Sequence, residues 1–141
     1  MNFWDASAIV PLCLHEGPRE LLLELLEGEP SLVVWWGTPV ECVSAVARRE
    51  REGHLSTTGV GAALDRLRVL GQAWHEVLPS EEIRRIAQRL LRVHPLRAAD
   101  ALQLSAAIVA SEHRPGALDF VSLDERLNVA ADREGFRSIG G

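Results

Sequence analysis

Short apolar runs alternate with amphipathic stretches along the whole chain, and that alternation restricts its fold more than any other feature. The openings of "NFWDASAIVPLCL", "SLVVWW", "AWHEVLP", "LDFVSL" and "FRSIG" read as short strands. Helical stretches separate them. "GPRELLLELLEG" carries leucines on one face, with Pro near its start and Gly at its end. "TPVECVSAVARRERE" offers Thr38 as N-cap and Pro39 as first helical residue. "STTGVGAALDRLRVLGQ" and "SEEIRRIAQRLLRVH" follow, the second with Ser80 as N-cap and two acids in its first turn. Pro95 is expected to open "HPLRAADALQLSAAIVA", and Gly135 to end "DERLNVAADREG". Strands alternating with helices imply βαβ units, hence an α/β fold with a mostly parallel sheet and helices on both faces. The Asn2–Leu12 run is expected to be buried on both sides, as parallel strands are.

Neither a linker, nor a repeat, nor a low-complexity segment interrupts the pattern, so residues 1–141 read as one domain. Hydrophobic residues make up 47% and charged residues 25%, an ordinary globular balance. No apolar run approaches the roughly 20 residues of a membrane span. No basic region precedes the first apolar run, so a cytoplasmic protein is expected. Cys13 and Cys42 share no metal-type spacing and are expected to be reduced thiols in apolar surroundings. The histidines are scattered without zinc-ligand spacing. A net charge of −5 argues against a broadly basic nucleic-acid binder. It does not exclude a nuclease whose centre needs acids. Every basic side chain is Arg.

Four acids stand in unusual places. Asp100 lies among Leu, Ala, Ile and Val, where a lone carboxylate is costly and needs a partner. Arg97, one turn earlier, could neutralise it as a structural ion pair. Asp5 ends the first apolar run, Glu41 lies in the first turn after the second strand, and Asp124 follows "FVSL". Each has a plain alternative as a turn residue, a cap or a first-turn acid. Asp5, Glu41 and Asp124 nevertheless all fall at strand carboxyl ends, where open α/β sheets bind ligands. The helix of Asp100 can face the same crevice. Asp119 precedes its strand and belongs at the opposite end. Carboxylates gathered in one cleft repel each other unless a cation joins them. Hard oxygen donors suit Mg²⁺ or Mn²⁺, which take phosphate oxygens as further ligands. The chemistry that follows is metal-assisted phosphodiester hydrolysis.

"NFWDASAIVPLCL", "TPVECVSAVARRE", "LRAADALQLSAAI" and "FVSLDERLNVAADREG" resemble, in order, the landmarks of PIN-domain ribonucleases, and in particular the VapC toxins of prokaryotic toxin–antitoxin pairs. The resemblance implies a three-layer α/β/α sandwich and a Mg²⁺- or Mn²⁺-dependent endoribonuclease that acts on RNA. It carries the family's acids onto Asp5, Glu41, Asp100 and Asp124, as catalytic and metal-holding residues. Ser7 and Ser122 match its supporting hydroxyls. It also implies a homodimer and a cognate, VapB-like antitoxin lying across the cleft. Arg48, Arg49 and Arg97 are candidates for phosphate contacts. The chain departs from the family at "VVWWG", where Trp35 and Trp36 stand near a usual small hydroxyl residue. They read either as core or as a platform for an RNA base. Three other functions share parts of this pattern. A phosphatase or receiver-type site would need a second acid beside Asp5 or a Lys, and the chain has neither. A non-catalytic PIN-like binding module would not need all four acids. An RNA-processing nuclease without a toxin role would share the whole site.

Overall fold

Phe3 and Trp4 are neighbours on strand β1 (Asn2–Trp4), yet they feed two different cores. The computed structural model describes residues 1–140. β1 is the middle strand of a fully parallel sheet with β2 (Leu32–Trp35), β3 (His75–Val77), β4 (Asp119–Val121) and β5 (Ser138–Ile139). The strand order is β3-β2-β1-β4-β5. Phe3 is in register with Val33 on one side and Phe120 on the other. Successive side chains on a strand point to opposite faces, so each strand divides its apolar residues between two layers.

Phe3, Val33, Trp35 and Phe120 meet α5 (Glu81–Val93), α6 (Ala98–Ala110) and α7 (Glu125–Arg133). The Phe3 and Phe120 rings stack at 5.6 Å. Trp4, Leu32, Val34 and Val121 meet the helices of the other layer. Those are α1 (Ala6–Leu14), α2 (Arg19–Gly28), α3 (Thr38–Arg51) and α4 (Thr57–Ala73). The result is the expected three-layer α/β/α sandwich. Among the described residues, no helix is long and apolar enough to cross a membrane.

Three local expectations are corrected. First, the apolar run from Asn2 to Leu12 is buried but is not one strand. It ends as a strand at Trp4, and residues 6–14 form α1. A short continuous apolar run looks the same as a buried strand or a buried helix. Here Asp5 decides, because its carboxylate caps the new helix by accepting from the Ser7 N–H. Second, Thr38 is the first helical residue of α3 and not its cap; Gly37 takes that place. The Thr38 hydroxyl is wholly buried and engaged elsewhere. Third, α6 begins at Ala98, so Pro95 belongs to the extended segment before it. Asp100 therefore stands in the first turn of its helix and not at its middle.

The topology has one functional consequence. The chain lays down β1, β2 and β3 in one direction across the sheet, then crosses back to β4 and β5. The reversal falls between β1 and β4. Such a switch point leaves a crevice at the strand carboxyl ends, because the connections leave in opposite directions.

Candidate active site

The crevice at the β1/β4 switch point is where the acids gather. Asp5 follows β1 directly and is 4% exposed. Its Oδ2 accepts from the Ser7 hydroxyl at 2.5 Å, the Ser7 N–H at 3.3 Å and the Ser122 hydroxyl at 3.0 Å. Ser122 follows β4 and in turn accepts from the Asp124 N–H at 3.0 Å. Ser7 accepts from the Leu123 N–H at 2.9 Å. The two serines thus sew the ends of the adjacent strands together around one carboxylate oxygen. Asn128 helps from α7 by donating to the Ser122 carbonyl at 2.8 Å.

The other acids enter from helices. Glu41 lies in the first turn of α3, and its Oε2 accepts from the Gln103 amide at 2.7 Å. The same nitrogen donates to the Thr38 hydroxyl at 3.0 Å. Asp100, in the first turn of α6, accepts through Oδ2 from the Arg97 N–H at 3.3 Å. Asp124 caps α7, accepting through Oδ1 from the Leu127 N–H at 3.1 Å. The capping alternatives raised by the sequence are therefore real for Asp5 and Asp124, but the bonds described occupy only one oxygen of each acid. Among the described residues nothing donates to Asp5 Oδ1, Glu41 Oε1, Asp100 Oδ1 or Asp124 Oδ2.

These carboxylates feel one another. Burial pushes Glu41 up to about 7; the Gln103 bond opposes the rise, and the charges of Asp5 and Asp100 add to it. Burial likewise raises Asp5 against its hydroxyl bonds, with Asp100 adding to the rise. Asp100 is raised by burial and by Asp124, while its own backbone bond and the fields of Arg97 and Arg126 pull it down. A negative cluster that resists ionisation favours a cation.

Glu41, Asp100 and Asp124 line a cavity of about 1080 Å³ between α3, α6 and α7. Asp5 is not part of the lining, but its charge is coupled to those of Glu41 and Asp100. Arg48 and Arg97 line the same cavity, as do Arg126 and Arg133, which the sequence reading missed. Arg49 turns away and pairs with Glu16. Arg97 makes no ion pair with Asp100; its backbone is the partner. Asp119 sits at the amino end of β4, paired with Arg137 at 2.7 Å. Trp35 is buried, as the core reading expects, and Trp36 is 52% exposed. Gly37 must be glycine here, since a Cβ would stand 2.5 Å from the Trp35 indole nitrogen. Cys13 and Cys42 are free, buried thiols, and burial raises Cys13 to about 11.

Gln103 is the other residue missed. It lies three residues after Asp100, one helical turn on, and that spacing was a usable signal. Arg126 and Arg133, seven residues apart on α7, share a face in the same way.

The donor set fits a hard divalent cation: carboxylates, each with one oxygen committed and one free. Among the described residues, no three His, Cys, Asp or Glu side chains already form a metal cage. Mg²⁺ needs none, because it binds through one or two carboxylates and keeps water and phosphate as its remaining ligands.

No family model and no curated protein sequence matches the chain. Solved structures do match its fold. A toxin–antitoxin complex from Klebsiella pneumoniae contains a chain 16% identical, with a TM-score of 0.63 over 91% of this chain and 90% of that one. FitAcB from Neisseria gonorrhoeae is 18% identical, with a TM-score of 0.68 over 99% and 96%. At such identities the likeness is one of fold, and it extends over nearly the whole chain.

Proposed function

We propose that this protein is a Mg²⁺- or Mn²⁺-dependent endoribonuclease of the PIN type, acting as the toxin of a toxin–antitoxin pair. The observation that carries the reading is the convergence of Asp5, Glu41, Asp100 and Asp124 on one crevice, each with an oxygen left free. One or two of Asp5, Glu41 and Asp100 would hold the ion directly, and the others, with Asp124, would reach it through bound water. The ion supplies a Lewis acid that activates water and neutralises charge on the phosphate.

The protein's own residues do the rest. Ser7 and Ser122 fix Asp5 through Oδ2, and Gln103 fixes Glu41 through Oε2, which leaves Oδ1 and Oε1 unengaged. A proton from the attacking water can pass to the free oxygen of a carboxylate of the cluster that does not itself hold the ion. Arg48 and Arg97 on the cavity wall suit phosphate oxygens.

The antitoxin partner rests on a separate surface. An apolar groove of about 340 Å³ runs between α2 and α4, lined by Leu12, Leu23, Leu26, Val69 and Leu70. A leucine-bearing helix of the antitoxin is its occupant, and an antitoxin Arg would reach the acids to block the cleft. This partner is argued from the fold shared with a chain of a toxin–antitoxin complex. A homodimer would cover the exposed Trp36, Val40 and Leu78.

The test is cleavage of total cellular RNA by the purified protein in Mg²⁺, Mn²⁺ or EDTA, beside Asp100→Asn. Discrete, metal-dependent products lost in the variant are expected. A folded, metal-binding protein that leaves all RNA intact would overturn the reading.

A further inference from the structure

Arginines without partners surround the acidic cavity. The arginine ion pairs of the described residues are Arg49–Glu16, Arg68–Asp65, Arg84–Glu81, Arg89–Glu134 and Arg137–Asp119. None uses the Arg126 or Arg133 that α7 places on the cavity wall. Both are exposed. Arg126 acts on Asp100 only through its field, and neither guanidinium is spent in an ion pair, so both are available to a polyanion entering the cavity.

α5 extends the pattern. Its inner face buries Ile83, Ile86, Ala87 and Leu90. Its outer face shows Arg85, Arg89 and Arg92, at i, i+4 and i+7, a stripe about 10 Å long at 1.5 Å per residue. A second cavity, of about 580 Å³, lies over this stripe and ends at Val93. The next residue, His94, is a buried wall of the first cavity. Glu134 joins the two sides, holding Arg89 at 2.8 Å and His94 at 2.7 Å while following Arg133 in the chain. The cavities therefore adjoin at the end of α5. The chain as a whole carries −5, so this concentration of arginine is not a by-product of a basic protein.

We infer that Arg126, Arg133, Arg92 and Arg85 form a track for the sugar–phosphate backbone of single-stranded RNA, leading away from the acidic crevice. The inference rests on the ribonuclease reading for the identity of the polyanion. Arginine's planar fork matches phosphate oxygens, and a backbone offers one such group per nucleotide. The track lies on two helices, α7 and α5, and passes from the wall of one cavity to that of the other. A positively charged groove that follows the backbone is how proteins hold single strands.

The experiment is equilibrium binding of a labelled single-stranded RNA to the full chain in EDTA, where no cleavage competes, over a range of salt. The variants are R126A/R133A, R85A/R92A and, as an off-track control, R51A/R114A. Each track pair should weaken binding about tenfold and reduce the salt slope by about 1.4, from roughly 0.7 per phosphate contact on single strands. The control should leave both unchanged. Equal losses in the control, or none in R85A/R92A, would overturn the track. So would a matched RNA duplex binding with the same arginine dependence, or polyglutamate replacing RNA as the preferred ligand. The two readings fail separately. Arginine-dependent binding without cleavage in Mg²⁺ keeps the track and sinks the nuclease; cleavage with arginine-independent binding does the reverse.

Discussion

The Gln103 side-chain nitrogen donates to both Glu41 Oε2 and Thr38 Oγ1, at 2.7 and 3.0 Å, and so ties α6 to the first turn of α3. Gln103 is fully buried. Replacing it with Leu removes two bonds and leaves the half-buried Glu41 without a donor. We expect Gln103→Leu to cost about 1–3 kcal/mol of stability. It should also move the acidic limb of the cleavage pH profile upward, because Gln103 holds the Glu41 carboxyl down. An unmoved profile alongside a lowered Tm would reduce Gln103 to a packing residue.

Asp100→Asn should separate activity from stability. Loss of one ion-holding carboxylate is expected to lower the cleavage rate at least about 100-fold, since metal assistance supplies several kcal/mol. The same change removes a charge that raises Asp5 and Glu41, so the metal-free variant should melt higher than the parent. Calorimetry in EDTA checks this, and a lower Tm would contradict the repulsive cluster.

The acids also set a pH dependence. Burial raises Glu41 from an ordinary 4.5 to about 7, and Asp5 and Asp100 are raised as well. A group with a raised folded-state pKa binds its proton more tightly when folded. Its contribution is complete below the unfolded pKa and disappears as pH rises through the folded one. For Glu41 that window runs from about pH 4.5 to about 7. The metal-free protein should therefore lose Tm between pH 5 and 8. Glu41→Gln should flatten part of the decline.

Divalent cations should reverse that loss. An ion that binds only the folded state adds about 2.7 kcal/mol at a hundred times its Kd. Mg²⁺ or Mn²⁺ should raise Tm most at pH 8, where the acids are ionised, and little at pH 5. Equal shifts at both pH values, or the same response in Asp100→Asn, would point to binding elsewhere.

The paired tryptophans should behave unlike each other. Trp35 is buried in the core below α5 and α6, and Trp35→Ala is expected to cost about 3–5 kcal/mol. Trp36 is half exposed, so Trp36→Ala should leave the monomer's fold almost untouched. Its effect belongs in sedimentation, as a weakened dimer. A dimer unaffected by the change would move the proposed contact off this face.

Most elements were legible because their patterns are local. Ser80 caps α5 and Gly135 follows α7, as the sequence indicates, since capping depends on a few neighbouring residues. Besides α1 and the start of α6, the exceptions were residues with two possible partners. Thr38 has the type of an N-cap, but its hydroxyl answers Gln103, which is 65 positions away. Arg49 stands beside Arg48 in the chain, yet a helix turns neighbours about 100° apart, and Arg49 faces Glu16.

By itself, the sequence determined the α/β class, most of the helices and the acids at strand carboxyl ends, because hydrophobic period and capping chemistry act over a few residues. Only the tertiary structure decided which oxygen of each acid stays free, that Gln103 joins Glu41, and that arginines of α5 and α7 share adjoining cavities with them. Those relations depend on strand order and on the reversal between β1 and β4. They join residues as much as 117 positions apart, where local pattern carries no information.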